Sequence, residues 1–501
     1  MVSLDGRNLT LADVVSVARE RTPASVSDDA MDAVARARAF LEERVASGQI
    51  IYGVNTGIGH LAEVAIDAHK LEDLQRNIVR SHAAGTGPAL AADEVRAVLL
   101  LKINLFAKGL SGVRPELVRL LQGMLREDVL PVVPAKGSLG ASGDLAPLAH
   151  VALAVQGEGE VDHDGRTLPA VEGLREAGLE PLTLSFKEGL GLINGCQVMA
   201  GRGTLLLHDA RILLRTAQAV SGMILEVFGA SSEPFDERVH DARPYPGQRA
   251  VAANLRTLRT GGESGGRVQE AYSLRCVPQI LGGVADAFDD LDRRLAVEVN
   301  AASDNPLVFA ESREIIAAGN FHGESLGLAL DHFGTALAEI ASLAERQMNR
   351  LLNPALSGLP AFLAPATGLN SGLMILHYTA ASLVSENKVL CHPACADSIP
   401  VSADQEDHVS MGGVSVHKAG GILENTAVVV GAAAMAACQA VDLVRGGSFG
   451  DATVALRKCM RGAVPFWEED RHAATDLRAA SRLALAGDLL GAVEAVTGTL
   501  E

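Results

Sequence analysis

Apolar side chains recur at three- and four-residue spacing through roughly 10–22, 27–47, 61–84, 93–108 and 115–126, the spacing that puts them on one face of an α-helix. Few stretches alternate in the manner of strands. The exception lies at 157–171, where Glu160-Val161-Asp162-His163 and Arg166-Thr167-Leu168 flank Asp164-Gly165, a pair suited to a tight hairpin turn. Beyond Asn194 the apolar runs lengthen, and about 197–228, 278–300, 322–351, 370–389 and 412–445 read as long helices, followed by an amphipathic helix near 472–495. Such lengths suit a parallel-sided bundle. The expected fold is mainly α, a long-helix bundle carrying one β-hairpin, with an N-terminal α-rich domain at 1–195 and a bundle domain at 196–501. Wide apolar faces bury more surface when protomers share them, so a homo-oligomer is expected.

Composition narrows the partners. With 501 residues, 48% of them hydrophobic, the chain can bury a large core. Its formal charge of −18 repels nucleic-acid phosphates and anionic lipid alike. A small-molecule partner is expected, with no nucleic acid and no membrane. The apolar run Ala427–Cys438, bracketed by Glu424 and Asp442, is short for a bilayer and reads as a buried helix. The opening Met-Val-Ser-Leu-Asp-Gly-Arg-Asn lacks a basic-then-apolar leader pattern, which makes the cytoplasm the expected compartment. Cys196, Cys276, Cys391, Cys395, Cys438 and Cys459 form no disulfide framework, and Cys391-His392-x-x-Cys395 lacks a second half for zinc, so no metal is expected.

Glycine-rich loops fall between helices at 136–143, 261–266, 319–327 and 411–421, where a helical scaffold can present functional groups. In the first, Ala141-Ser142-Gly143 sits within Gly-Ser-Leu-Gly-Ala-Ser-Gly-Asp-Leu-Ala-Pro-Leu. Ordinary side chains supply nucleophiles readily and electrophiles hardly at all. If this backbone folds tightly, the Gly143 nitrogen can attack the Ala141 carbonyl carbon, and loss of two waters leaves a five-membered ring bearing a methylidene from Ser142. Gly offers an unhindered nitrogen and permissive dihedrals, Ala leaves the carbonyl open, and Ser carries the hydroxyl to eliminate. Asp144 follows as a base or a helix cap. The same residues also suit a plain turn into a helix starting near Leu145.

Other polar groups interrupt apolar sequence. Tyr52 and Tyr272, two of only four tyrosines, lie in loops where a phenol can act as acid or base, or can simply anchor the loop. Arg275 can bind a carboxylate or pair with an acid on the surface. Asn194 and His82 suit helix ends or a polar pocket, and Gln405-Glu406-Asp407-His408 suits a solvated turn or the same pocket.

The ordered series of strings decides among these. Tyr-Gly-Val-Asn-Thr-Gly at 52–57, Ser-His-Ala-Ala-Gly at 81–85, the Ala-Ser-Gly segment at 137–148, Tyr-Ser-Leu-Arg-Cys at 272–276, Ser-Asp-Asn-Pro-Leu at 303–307, Ser-Glu-Asn-Lys at 385–388 and Asp397 through Met411 together resemble the histidine ammonia-lyases. These form a branch of the aromatic amino-acid ammonia-lyases and aminomutases that use a 4-methylidene-imidazol-5-one (MIO) group, and the likeness spans nearly the whole chain. It implies an all-α fold of the fumarase and aspartase superfamily, a homotetramer with active sites shared between subunits, and deamination of L-histidine to trans-urocanate and ammonia with no external cofactor. It implies that Ala141, Ser142 and Gly143 form the MIO group, that Tyr52 takes the β-proton, and that Arg275 binds the carboxylate. On the same resemblance Tyr272 is expected to join the catalytic set, while Asn194, Gln269 and Phe321 are expected to line cofactor and substrate. The resemblance further implies that His82 and Glu406 meet the imidazole.

Attack by the substrate amine on the methylidene would improve nitrogen as a leaving group; attack by the ring is the alternative. Polar His82 and Glu406 favour histidine over phenylalanine or tyrosine, with a tyrosine or phenylalanine ammonia-lyase or an aminomutase as the alternative. Ile58, Glu270-Ala271, Val277 and Tyr245 depart from common relatives, which bears on loop stiffness more than on reaction type. Gly323-Glu324-Ser325-Leu326-Gly327 matches the pattern of serine hydrolases, but a nucleophile elbow at Ser325 requires a parallel sheet. A helical scaffold without activity would keep Ser142 unmodified.

Overall fold

Local signals start several helices where the polar pattern places them. Thr10 caps Leu11–Arg19 in a reciprocal box with Asp13, Ser27 caps Asp28–Ala46, and Pro115 opens Pro115–Arg126, where a missing N–H costs nothing. The computed structural model describes residues 1–261 and 268–501, so the expected loop at 261–266 lies, after Gly261, outside the described residues. Two compact units emerge: Met1–Leu205 with Leu291–Asp331 and Pro393–His417, and Leu206–Asp290 with His332–His392 and Lys418–Glu501. Each unit draws on three stretches of chain, whereas the expected domains at 1–195 and 196–501 are contiguous.

The first unit holds Leu71–His82, Ala92–Ala107, Leu145–Val155 and Glu188–Ile193 beside the helices already named. Ala92–Ala107 is buried on every face from Val95 onward, although Arg96, Lys102 and Asn104 lie within that stretch. Among the described residues, strands are short and lie in four small sheets. The expected hairpin forms from Glu160–His163 and Arg166–Pro169, pairing Val161 with Leu168 and Asp162 with Thr167. Asp164 and Gly165 both take positive φ, +49° and +72°, the demand of a two-residue hairpin turn. The helix expected over 61–84 is shorter, Leu71–His82. Upstream, the backbone of 55–66 pairs with itself instead: Gly57 N–H donates to Val64 and Ile66 N–H to Asn55, which shapes the loop following Tyr52.

The second unit contains most of the long helices Gln197–Val227, Val277–Glu298, Glu324–Leu352 and Gly412–Leu443, together with Met374–Leu390. Gly412–Leu443 is long and apolar enough to cross a membrane, yet it is mostly buried, including the run from Ala432 to Cys438. The final amphipathic segment divides into Ala473–Leu485 and Asp488–Thr497, because Gly487 takes φ +82° and breaks the helical ladder. Pro246–Leu258 and Asp451–Ala463 are helices that the periodicity did not predict. Ser325 stands in the first turn of Glu324–Leu352, after an antiparallel pair, Leu307–Phe309 with Glu314–Ile316. No parallel strand leads into it, so the geometry of a nucleophile elbow is missing there.

Candidate active site

Small residues let the loop at 137–144 close. Gly140 takes φ +68° and a Cβ there would lie 2.1 Å from Ser410 Oγ. Gly143 takes φ +75°, and a Cβ would lie 2.1 Å from the Gly195 carbonyl oxygen. Any side chain at 143 would therefore be strained and would clash with backbone. Gly195 donates its N–H to the Ser142 carbonyl at 3.3 Å and accepts from Asp144 N–H at 2.8 Å, bracketing Gly143. The Gly143 N–H itself donates to no described residue, leaving that nitrogen unengaged.

Asp144 is fully buried and holds this loop to the start of a helix other than the one expected. Its Oδ2 accepts from Val198 and Met199 N–H at 2.9 Å each, and Oδ1 accepts from Ser138 Oγ at 2.9 Å. It makes no side-chain cap on Leu145–Val155; it caps Gln197–Val227 instead, where orphan N–H groups and the helix dipole favour a carboxylate. Burial nevertheless pushes its pKa up to about 6, opposed by these donors.

The loop from Asp397 to Met411 brings a second carboxylate to the same place. Val409 and Met411 pack on Ala141 in a buried apolar cluster, each contributing about 1.5–3 kcal/mol if fully removed from water. Ser402, Ala403 and Asp404 all take left-handed φ, +55°, +51° and +64°, a run that is unfavourable for residues with side chains and that surrounding contacts must enforce. Val401 and Glu406 then pair across the turn. Glu406 Oε1 consequently accepts from Ser142 Oγ at 2.8 Å, across 264 residues of sequence.

Tyr52 lies within reach of the same carboxylate's charge. Its hydroxyl accepts from Gly59 N–H at 3.1 Å, and Gly59 leaves room for Ser402, whose Oγ would lie 2.6 Å from a Cβ there. Burial pushes the phenol above its ordinary pKa and the negative charge of Glu406 adds to that rise, while Gly59 N–H opposes it. Ser142, Glu406 and Tyr52 thus form one cluster in the first unit.

The remaining expected residues fall into distinct settings. His82 ends Leu71–His82 with Nδ1 against Ile78 O at 2.8 Å and Ser81 Oγ at 3.1 Å, so Nε2 is the nitrogen left for a partner. Asn194 is buried at the end of Glu188–Ile193, and the Phe321 carbonyl accepts from Cys196 Sγ at 3.2 Å. Gln269, Tyr272 and Arg275 belong to the second unit. There the Gln269 carbonyl oxygen, in the amide orientation that satisfies both groups, accepts from Arg275 Nη1 and Nη2 at 3.0 Å each. The guanidinium lies 4.8 Å from the Tyr272 ring centre, and Tyr272 is 70% exposed.

Three groups here escaped the sequence reading. Lys187 and Asp304 form an ion pair at 2.7 Å with both side chains fully buried. Lys102, also fully buried, donates to the carbonyls of Gly191 and Asn194, and burial pushes its pKa down to about 7 against the pull of Asp304. The signal for it was a lysine amid an apolar run, Leu99-Leu100-Leu101-Lys102-Ile103. His322, Glu324 and His408 place possible ligand atoms within 4.8 Å of one another, a trio one ligand short of a closed structural zinc site, with His408 solvent-exposed.

A helical fold presenting a glycine-bracketed Ala-Ser-Gly loop beside a carboxylate and a phenol defines a class, and the chain belongs to the aromatic amino acid lyase family, which it matches over residues 9–462. Within that family it is 45% identical over 504 residues to the histidine ammonia-lyase of Alkaliphilus metalliredigens, spanning 100% of this chain and 99% of that protein. The crystal structure of histidine ammonia-lyase from Trypanosoma cruzi superimposes with a TM-score of 0.92 at 40% identity, covering 99% of this chain and 95% of that one. The tyrosine aminomutase from Streptomyces globisporus gives a TM-score of 0.95 at 39% identity, with 100% of both chains covered.

Proposed function

We propose that this chain eliminates ammonia from L-histidine to give trans-urocanate, using an MIO group formed from its own Ala141, Ser142 and Gly143. The observation that carries the reading is the contact of Ser142 with Glu406, at a loop where glycine alone fits and beside a phenol able to take a proton. The residues present suit the group: the Gly143 N–H donates to no described residue, the backbone on both sides of it is held by Gly195, and the Ser142 hydroxyl that must leave is held in place by its hydrogen bond to Glu406. When formed, the ring supplies an electron-poor carbon that captures and activates the substrate's amine.

The chain's own groups do the rest. Tyr52 removes the β-proton, and as a phenolate it also needs its own proton gone first. Arg275, oriented by Gln269 and Tyr272, binds the substrate carboxylate. Asn194 and Phe321 line the site. His82 through Nε2 and Glu406 through its carboxylate meet the imidazole nitrogens, which a phenyl or phenol ring lacks. Incubation of purified protein with histidine, tyrosine and phenylalanine tests the assignment: urocanate with free ammonia supports it, and a cinnamate-type product or a β-amino acid defeats it. His82→Leu is expected to lower kcat/KM for histidine by about 100-fold or more, since a site built to pair a polar ring is left with an unpaired group, while any slow turnover of tyrosine stays level. An unchanged preference between substrates would remove the specificity argument.

The proposed assembly is a homotetramer whose subunits exchange active-site residues. It is supported by apolar side chains left in solvent on the second unit, among them Ile375, Tyr378 and Val389 on Met374–Leu390. Co-expressing Ser142→Ala with Arg275→Ala chains is expected to restore urocanate formation that neither variant shows alone. Mixed oligomers as inactive as their parents would place the two residues in one subunit's site.

A further inference from the structure

Lys102 lies inside Ala92–Ala107, where every neighbour from Val95 onward is buried, and removing an ammonium from water there is costly. Something must hold it. Its Nζ donates to the Gly191 carbonyl at 3.2 Å and to the Asn194 carbonyl at 2.6 Å, which are acceptors that the end of Glu188–Ile193 leaves unpaired. A cation at a helix C-terminus is also favoured by the dipole.

The second of these bonds reaches the active-site loop through a single peptide group. The Asn194 oxygen and the Gly195 N–H are opposite ends of one planar trans peptide. Fixing the oxygen on Lys102 aims the N–H the other way, and there it meets the Ser142 carbonyl at 3.3 Å. A hydrogen bond donated to the oxygen also polarises that peptide and strengthens the N–H as a donor. One residue on, the Gly195 carbonyl takes Asp144 N–H at 2.8 Å. The backbone on both sides of Gly143 is therefore held by a strip whose orientation Lys102 sets from outside the loop.

We infer that Lys102 is a positioning residue for ring closure: by holding the Asn194–Gly195 peptide plane it keeps the Gly143 nitrogen aimed at the Ala141 carbonyl carbon. This rests on the cofactor reading above. Closure forms the bond between Gly143 N and Ala141 C. The Ala141 oxygen leaves as water with the N–H hydrogens of Gly143 and Ser142, and the Ser142 hydroxyl leaves as a second water with the hydrogen on its Cα. No oxidant is required, so the work left to the protein is alignment.

The test follows newly synthesised full-length chains by intact mass, reading the fraction that has lost two waters, with circular dichroism to confirm folding. Folded Lys102→Gln and Lys102→Met chains are expected to close the ring about tenfold or more slowly, the scale of losing a charge-assisted hydrogen bond. Lys102→Arg keeps a cationic donor and is expected to recover most of the rate. Folded Gln or Met variants closing at the wild-type rate would overturn the role, as would an Arg variant no faster than Met. If all three variants, Arg included, fail to fold, Lys102 serves the fold alone and the inference is equally lost. A wild-type chain that keeps its full mass overturns the cofactor reading itself, whereas a wild-type chain that loses both waters alongside equally fast variants overturns only Lys102.

Discussion

Ser142→Ala is expected to leave a folded protein of unreduced mass whose turnover of histidine has fallen by roughly four orders of magnitude, about 5.5 kcal/mol of lost transition-state stabilisation. The hydroxyl is the only atom group at 142 that can be eliminated to create a methylidene, and no other side chain in the cluster is an electrophile. The change itself is mild for the fold. Ser142 makes one side-chain hydrogen bond, to Glu406, at a partly exposed position, so loss of that bond costs about 1 kcal/mol. Far-ultraviolet circular dichroism and thermal unfolding should therefore resemble those of the wild type. Substantial urocanate formation by this variant, or a wild-type mass equal to the sum of its residues, would remove the proposed chemistry.

Tyr52→Phe is expected to close the ring normally, losing both waters, while kcat falls by about 10²–10⁴, the usual contribution of a general base. The pH profile carries the sharper test. A phenol works as a base only when deprotonated, and burial together with the Glu406 charge raises the pKa of Tyr52. In the wild type, kcat/KM should thus climb with pH through the alkaline range. Glu406→Gln removes the negative charge, lowers the cost of forming the phenolate, and should move that climb to lower pH even as histidine turnover declines through the lost contact with imidazole. A climb that stays in place in Glu406→Gln would mean that another group sets it. Both variants leave Gly140, Gly143 and Gly195 untouched, so intact mass separates a defect in proton transfer from a failure of ring closure.

Much of this protein can be read from its letters because helices are local objects. Their hydrogen bonds join residues four apart, and caps such as Thr10 with Asp13 act within one turn, so the pattern predicts Pro115–Arg126 to the residue and Gln197–Val227 to within one. Asp164-Gly165 is legible for the same reason. Where backbone groups find partners elsewhere, periodicity misleads: the segment before Leu71 looks helical but pairs 55–57 with 64–66, and Gly487 divides the last helix by a conformation that hydrophobic spacing does not encode.

The atoms of the chemistry are likewise written in the sequence: Ala, Ser and Gly in succession hold every atom of the proposed electrophile, while the alignment that lets them close belongs to the fold. Which groups serve it depends on distances between points far apart in the chain. That Glu406 meets Ser142, that its charge raises the Tyr52 pKa, that Asp144 caps Gln197–Val227 in place of its own helix, and that Lys102 braces Asn194 all follow from packing. Burial and Coulombic coupling are properties of neighbours in space, and only the folded chain decides who those neighbours are.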